Sequence, residues 1–249
     1  MKTSDLLIDK DVLTLVTEPN SNQLGQIEKW LRAENNEKDE GFFRNWDTIT
    51  GAFNNNQLWV TTLNDFPIGF VVIYISDSSL TAVIDIAEVK PSERKRGVGR
   101  RMVDETLNTF RTQGVLAVRL ECRPISSESF WKKMGFRHYP DKFPKSPFEL
   151  YKPLIETLSP SKTKRSKSTI GLWNCELYSA KRQKAEWIWE LDLLEDQITL
   201  RQPIIFPVLS DWKVQLCRNN HELFSEKVKR FPSNEGIFDG FLIVRQLIL

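Results

Sequence analysis

The stretch from Ala82 to Gln113 limits the folds open to this chain more than any other. AVIDIAEV (82–89) has strand character and ends in a turn containing Pro91. Gly97 and Gly99 then open GRRMVDETLNTFRTQ (99–113), whose Met102, Val103, Leu107 and Phe110 fall on one helical stripe. Strand, turn and amphipathic helix follow one another directly, and the same alternation recurs on either side. SNQLGQIEKWLRAE (21–34) reads as a helix capped by Ser21 or Asn22, with Leu24, Ile27, Trp30 and Leu31 on one face. QLWVTTL (57–63) and PIGFVVIYI (67–75) flank Asn64-Asp65, a tight-turn pair, and read as a hairpin. VLAVRLEC (115–122), SSESFWKKM (126–134), FRHY (136–139) and PFELYKPL (147–154) continue as strand, short helix, strand and strand. The expectation is a mixed α/β fold over residues 1–158.

Charge marks the next boundary. The chain of 249 residues has a net charge of only +2, which excludes a histone-like nucleic-acid wrapper. Yet residues 160–184 carry seven basic side chains against Glu176 alone. SPSKTKRSKST (159–169) is poor in apolar residues, so residues 159–172 read as a basic linker. That linker is a solvated tether, a charge patch for nucleic acid or an acidic partner, or a targeting signal. Interleaved aromatics are missing, which weakens a single-strand reader. Residues 173–249 read as a smaller α+β domain. HELFSEKVKRF (221–231) is its expected helix, and ELYSAKRQKAEWIW (176–189) is a helix or a helix running into a strand. Trp173, Trp187, Trp189 and Trp212 are read as core.

Several classes fall away. Cys122, Cys175 and Cys217 are three and far apart, which argues against a disulfide framework or a zinc site. His138 and His221 lack ligand-spaced partners, so no metal is expected. No apolar run approaches the roughly 18–20 residues of a membrane span. The first residues lack a basic start followed by an apolar core, so the expectation is a soluble, cytoplasmic protein with no membrane partner.

The turn between strand and helix carries the chemistry. Free N–H groups at a helix start point outward, and glycines let an anion approach the backbone. Arg94, Lys95, Arg96, Arg100 and Arg101 add full charges. A solvated basic turn is the plain alternative. Neither the Walker pattern nor GxGxxG is present, since no Gly-Lys-Ser/Thr follows and position 102 is Met. Arg94-Lys95-Arg96-Gly97-Val98-Gly99, preceded by Val89-Lys90-Pro91 and followed later by Phe130-Trp131-Lys132-Lys133-Met134-Gly135-Phe136, resembles the GNAT superfamily of N-acetyltransferases. The resemblance covers about residues 10–157.

That resemblance implies a bent, splayed mixed sheet flanked by helices, with acetyl-CoA as co-substrate. Backbone amides from Arg94 through Lys95, Arg96, Gly97, Val98 and Gly99 to Arg100 would hold the pyrophosphate. The backbone of Glu88 to Lys90, centred on Val89, would bond the pantetheine. Lys132 and Lys133 would meet the 3′-phosphate or face solvent. The acceptor would be an amine, small or macromolecular, attacking the thioester directly with a carboxylate base. Glu88 is the first candidate, Asp85 the second and Glu121 the third. Residues 85 and 88 point to opposite faces, with Ile84 and Ile86 beside Glu88. The family often has a Tyr acid where this chain has Trp131, so Tyr139 or Ser129 substitutes, or the thiolate leaves unaided. Trp131 then packs, against pantetheine or within the core. The other function open to the chain is a coenzyme-binding or partner-recognition protein that uses its C-terminal domain. The sequence leaves oligomeric state open.

Overall fold

The computed structural model describes residues 13–38, 41–140, 148–161 and 166–248. The chain forms two compact units. One holds residues 1–74 and 83–110, the other residues 75–82 and 111–249.

In the first unit, strand β1 (Leu13–Val16) leads into helix α1 (Ser21–Lys38). Its cap is Asn20, one residue before the expected Ser21 or Asn22. The Gln23 N–H donates to the Asn20 side chain at 3.0 Å, and the Asn20 N–H donates to the Gln23 side chain at 3.0 Å. This reciprocal pair satisfies two otherwise orphaned donors. Helix α2 (Trp46–Asn54) follows, then β2 (Leu58–Leu63), β3 (Phe66–Ile75) and β4 (Thr81–Val89). Asn64 (φ 48°) and Asp65 (φ 67°) make the expected tight turn between β2 and β3. Ile27, Trp30 and Leu31 of α1 bury against Leu58, Val60, Phe70, Val72 and Ile86. Helix α3 (Val98–Thr112) buries the predicted stripe of Met102, Val103, Leu107 and Phe110.

The second unit takes β5 (Ala117–Glu121), helix α4 (Glu128–Lys133), β6 (Arg137–His138) and β7 (Glu149–Pro153). Strand β7 lies between β5 and β6. The strands that follow are β8 (Thr169–Glu176), β9 (Trp187–Glu190), β10 (Thr199–Pro207), β11 (Trp212–Arg218), β12 (His221–Lys227) and β13 (Phe241–Gln246). They form a four-stranded sheet in the order β12-β11-β8-β9 and a separate β10-β13 ribbon. Leu116, Ala117, Tyr139 and Tyr151 share one hydrophobic cluster with Trp189, Phe206, Trp212 and Phe241.

The C-terminal α+β expectation is corrected here. Among the described residues after Thr169 there are strands and short 3-10 turns, and no α-helix. HELFSEKVKRF is strand β12 plus one 3-10 turn. Asn219 (φ 52°) and Asn220 (φ 65°) adopt the paired left-handed conformation of a two-residue hairpin turn, which returns the chain antiparallel to β11. Residues 176–189 give one 3-10 turn and β9 in place of the helix. Within the expected linker 159–172, residues 162–165 lie outside the described residues, and Thr169 already begins β8. Among the described residues no helix is long and apolar enough to cross a membrane, and no acidic, Cys or His cluster could hold a metal.

Candidate active site

The site is built on the end of β4 and the turn into α3. Ile84 and Ile86 are buried and Asp85 is exposed, so the strand alternates as its sequence predicts. Glu88 therefore lies on the face of Ile86, which packs in the cluster containing α1. Gly69 makes room for the strand end: a Cβ there would sit 3.0 Å from the Glu88 carbonyl oxygen and 3.1 Å from Met102 Sδ. The Lys90 N–H donates to the Ile68 carbonyl at 2.8 Å, the last backbone bond before the chain turns.

After the 3-10 turn Pro91–Glu93, Lys95 (φ 63°) and Gly97 (φ 83°) are left-handed. Nothing lies within 4 Å of a Cβ built at Gly97, so its glycine serves backbone conformation and not a close contact. Positive-φ residues just before a helix start are positions where backbone N–H groups can converge on an anion. Helix geometry leaves the N–H groups of Val98, Gly99 and Arg100 without carbonyl partners, while the Arg101 N–H donates to Gly97 O at 3.1 Å. Lys95, Arg96 and Arg100 are exposed around this turn.

Arg94 does not point outward with them. Its Nη2 lies 2.8 Å from Glu88 Oε1 and 2.7 Å from Glu34 Oε1, and its Nε donates to Val89 O at 2.9 Å. The Val89 N–H also donates to Glu88 Oε1 at 3.0 Å. Both polar groups of Val89 are thus engaged by side chains of the site. Burial pushes the Glu88 carboxyl above its ordinary range. Arg94 and the Val89 N–H pull it down without cancelling that, and the Glu34 charge adds to the rise. Burial also works against the charged Arg94, but Glu88 and Glu34 outweigh it and hold the guanidinium protonated.

The structure thus brings Glu88, Val89, Arg94, Lys95, Arg96, Gly97, Val98, Gly99 and Arg100 together. Asp85 is on the opposite, exposed face of β4, where its charge raises the Tyr74 phenol further after burial has done so. The other candidates belong to the second unit. Trp131 is buried, edge-on to Phe130 and Phe136 at 5.1 and 5.3 Å between ring centroids. Lys133 is exposed on α4. Tyr139 is buried edge-on to Tyr151, and burial pushes its phenol far above the usual tyrosine range. His138 Nε2 and Lys132 Nζ both meet Glu128 Oε1, at 2.8 and 2.5 Å.

Sequence reading did not single out Glu34, the last residue of the expected helix 21–34. The residue is 3% exposed because α1 continues to Lys38. A signal was present: position 34 follows Ile27, Trp30 and Leu31 at helical spacing, so it falls on the buried face.

Residues 24–136 match the model of the acetyltransferase (GNAT) family. Among solved structures the chain is similar to a GNAT acetyltransferase from Staphylococcus aureus Mu50, at 17% identity and a TM-score of 0.46, covering 58% of this chain and 100% of that one. It is similar to Ard1 from Thermoplasma volcanium at 25% identity and a TM-score of 0.44, covering 58% and 99%. It is also similar to the PaiA N-acetyltransferase from Thermoplasma acidophilum in complex with coenzyme A, at 17% identity and a TM-score of 0.45, covering 57% and 99%. No curated protein matches the chain.

Proposed function

With residues 24–136 forming an acetyltransferase domain of the GNAT family, we propose that the protein moves the acetyl group of acetyl-CoA to an amine, with Glu88 as base. The observation that carries this reading is the pairing of a half-buried carboxylate with an open amide turn on one strand end. Acetyl-CoA supplies an activated thioester. The left-handed turn fits its diphosphate: the N–H groups of Lys95 to Arg100 would hold the phosphate oxygens, and Lys95, Arg96 and Arg100 would add charge. Val89 offers pantetheine only its carbonyl's second lone pair unless Glu88 and Arg94 move.

A primary amine has a pKa of about 10 and must lose a proton to attack. Glu88 takes that proton, directly or through water, and its raised proton affinity suits it to the task. The base must be ionised before it can act. Because burial raises the Glu88 carboxyl, activity falls off on the acid side at a pH above the ordinary glutamate value of about 4.3. No matching acid is needed at the thiolate, which leaves unaided. Tyr139 is too reluctant a donor at its raised pKa, and an indole such as Trp131 is no practical proton source. Asp85, exposed on the other face of β4, is the second candidate.

Calorimetry with acetyl-CoA tests the cofactor half of the reading, and an absence of heat at high protein concentration overturns it. Thiol release with a panel of small amines and peptides then tests turnover. Glu88→Gln is expected to lower kcat about 10²-fold or more and to remove the acid limb. Unchanged turnover with an unchanged limb removes Glu88 as base. The packing of Trp131 between Phe130 and Phe136 favours the second reading, a coenzyme-binding protein. Binding without thiol release from any amine supports that reading instead.

A further inference from the structure

Glu34 is a glutamate on the apolar face of α1, and its side chain is 1% exposed. A buried carboxylate is costly unless several donors satisfy it. Glu34 has one ion-pair contact, the Arg94 guanidinium 2.7 Å from its Oε1, and neither carboxylate oxygen has a hydrogen-bond partner among the described residues. The chain nevertheless builds around it. Gly41 is left-handed at φ 82°, and a Cβ there would stand 2.9 Å from Glu34 Oε2, so a side chain at that position would displace the carboxylate.

The partner of Glu34 is also the partner of the proposed base. A single nitrogen, Arg94 Nη2, lies 2.7 Å from Glu34 and 2.8 Å from Glu88. A guanidinium held by one carboxylate alone would neutralise it and hold its pKa low. Divided between two, it neutralises neither fully, and the second carboxylate adds repulsion. The groups that face Glu88 are Arg94 from the turn, Glu34 from α1 and the Val89 N–H of its own strand. Of these only Glu34 raises its proton affinity.

Resting on the reading of Glu88 as base, we infer that Glu34 is a positioning residue that shares the Arg94 guanidinium with Glu88 and so keeps Glu88 able to accept a proton. With its side chain 1% exposed, Glu34 would act at a remove from any bound substrate. It acts through Arg94, which it also holds turned inward, away from the amide turn.

The test follows Glu88 directly in the full-length protein. The side-chain carboxyl carbon of Glu88 is labelled with ¹³C, assigned by its loss in Glu88→Gln, and titrated by NMR in wild type, Glu34→Asp and Glu34→Gln. The Glu88 midpoint is expected to be highest in wild type, lower in Glu34→Asp, where the shorter chain withdraws from Arg94, and lowest in Glu34→Gln. The acid limb of kcat/KM for thiol release is expected to move to lower pH in the same order. An unmoved or raised Glu88 midpoint in the folded variants overturns the inference. Should Glu34→Gln fail to fold, a Glu34→Asp midpoint equal to wild type overturns it equally. If the midpoint moves and the kinetic limb does not, Glu34 tunes Glu88 as inferred, and it is the assignment of Glu88 as base that falls.

Discussion

Gly69 and Glu88 share one constraint from opposite sides. The carbonyl of Glu88 sits where a side chain at position 69 would begin, 3.0 Å from its first carbon. Because the obstacle is backbone, nothing can rotate aside. Gly69→Val is expected to cost about 1–3 kcal/mol, read by urea unfolding, because the end of β4 or Met102 must shift. The same shift carries Glu88 and Val89 with it, so turnover should fall further than the stability loss alone accounts for. Assays at a temperature where the variant is fully folded separate the two effects. A variant with normal turnover would show that the strand end tolerates displacement.

Two asparagine-rich turns show what sequence could and could not deliver at the level of elements. Asn64-Asp65 sits between two plainly apolar runs, so the hairpin of β2 and β3 was legible. Asn219-Asn220 is equally good turn chemistry, but HELFSEKV on its far side is polar and reads as helix. Its strand is largely exposed and derives its state from pairing with β11, a tertiary cause that local propensity does not contain. Asn219→Val tests this, because a β-branched side chain at φ 52° is expected to cost about 1–2 kcal/mol. Thermal unfolding reads the loss, and an unchanged midpoint would show that pairing alone sets the turn. The cofactor turn was legible for a related reason. Gly97 announces a left-handed backbone, and the basic side chains announce an anion. For Glu34 only the helix face was legible; its pairing depends on Arg94 folding inward, a long-range contact that spacing does not contain.

The apolar faces of Leu116, Tyr139 and Tyr151 belong to the same core as Trp189, Phe206 and Phe241, with Tyr151 and Phe241 6.1 Å apart between ring centroids. A fragment of residues 1–158 would expose them. It is expected to melt below the full chain and to bind hydrophobic dyes, and a fragment matching the intact Tm would show those faces dispensable. The C-terminal strands thus support the strands β5 and β7 whatever else they do.

Neither compact unit is a continuous run of chain, since residues 75–82 leave one to join the other. The Ser78 hydroxyl meets Asp239 Oδ2 at 2.5 Å across 161 positions of sequence. Emerging from a ribosome, the earlier partner must wait for those 161 further residues before its counterpart exists. The loop entropy of that long wait falls on the folding rate. Newly made chains of this protein should therefore spend much of their synthesis half-built, with the first unit closing before the second.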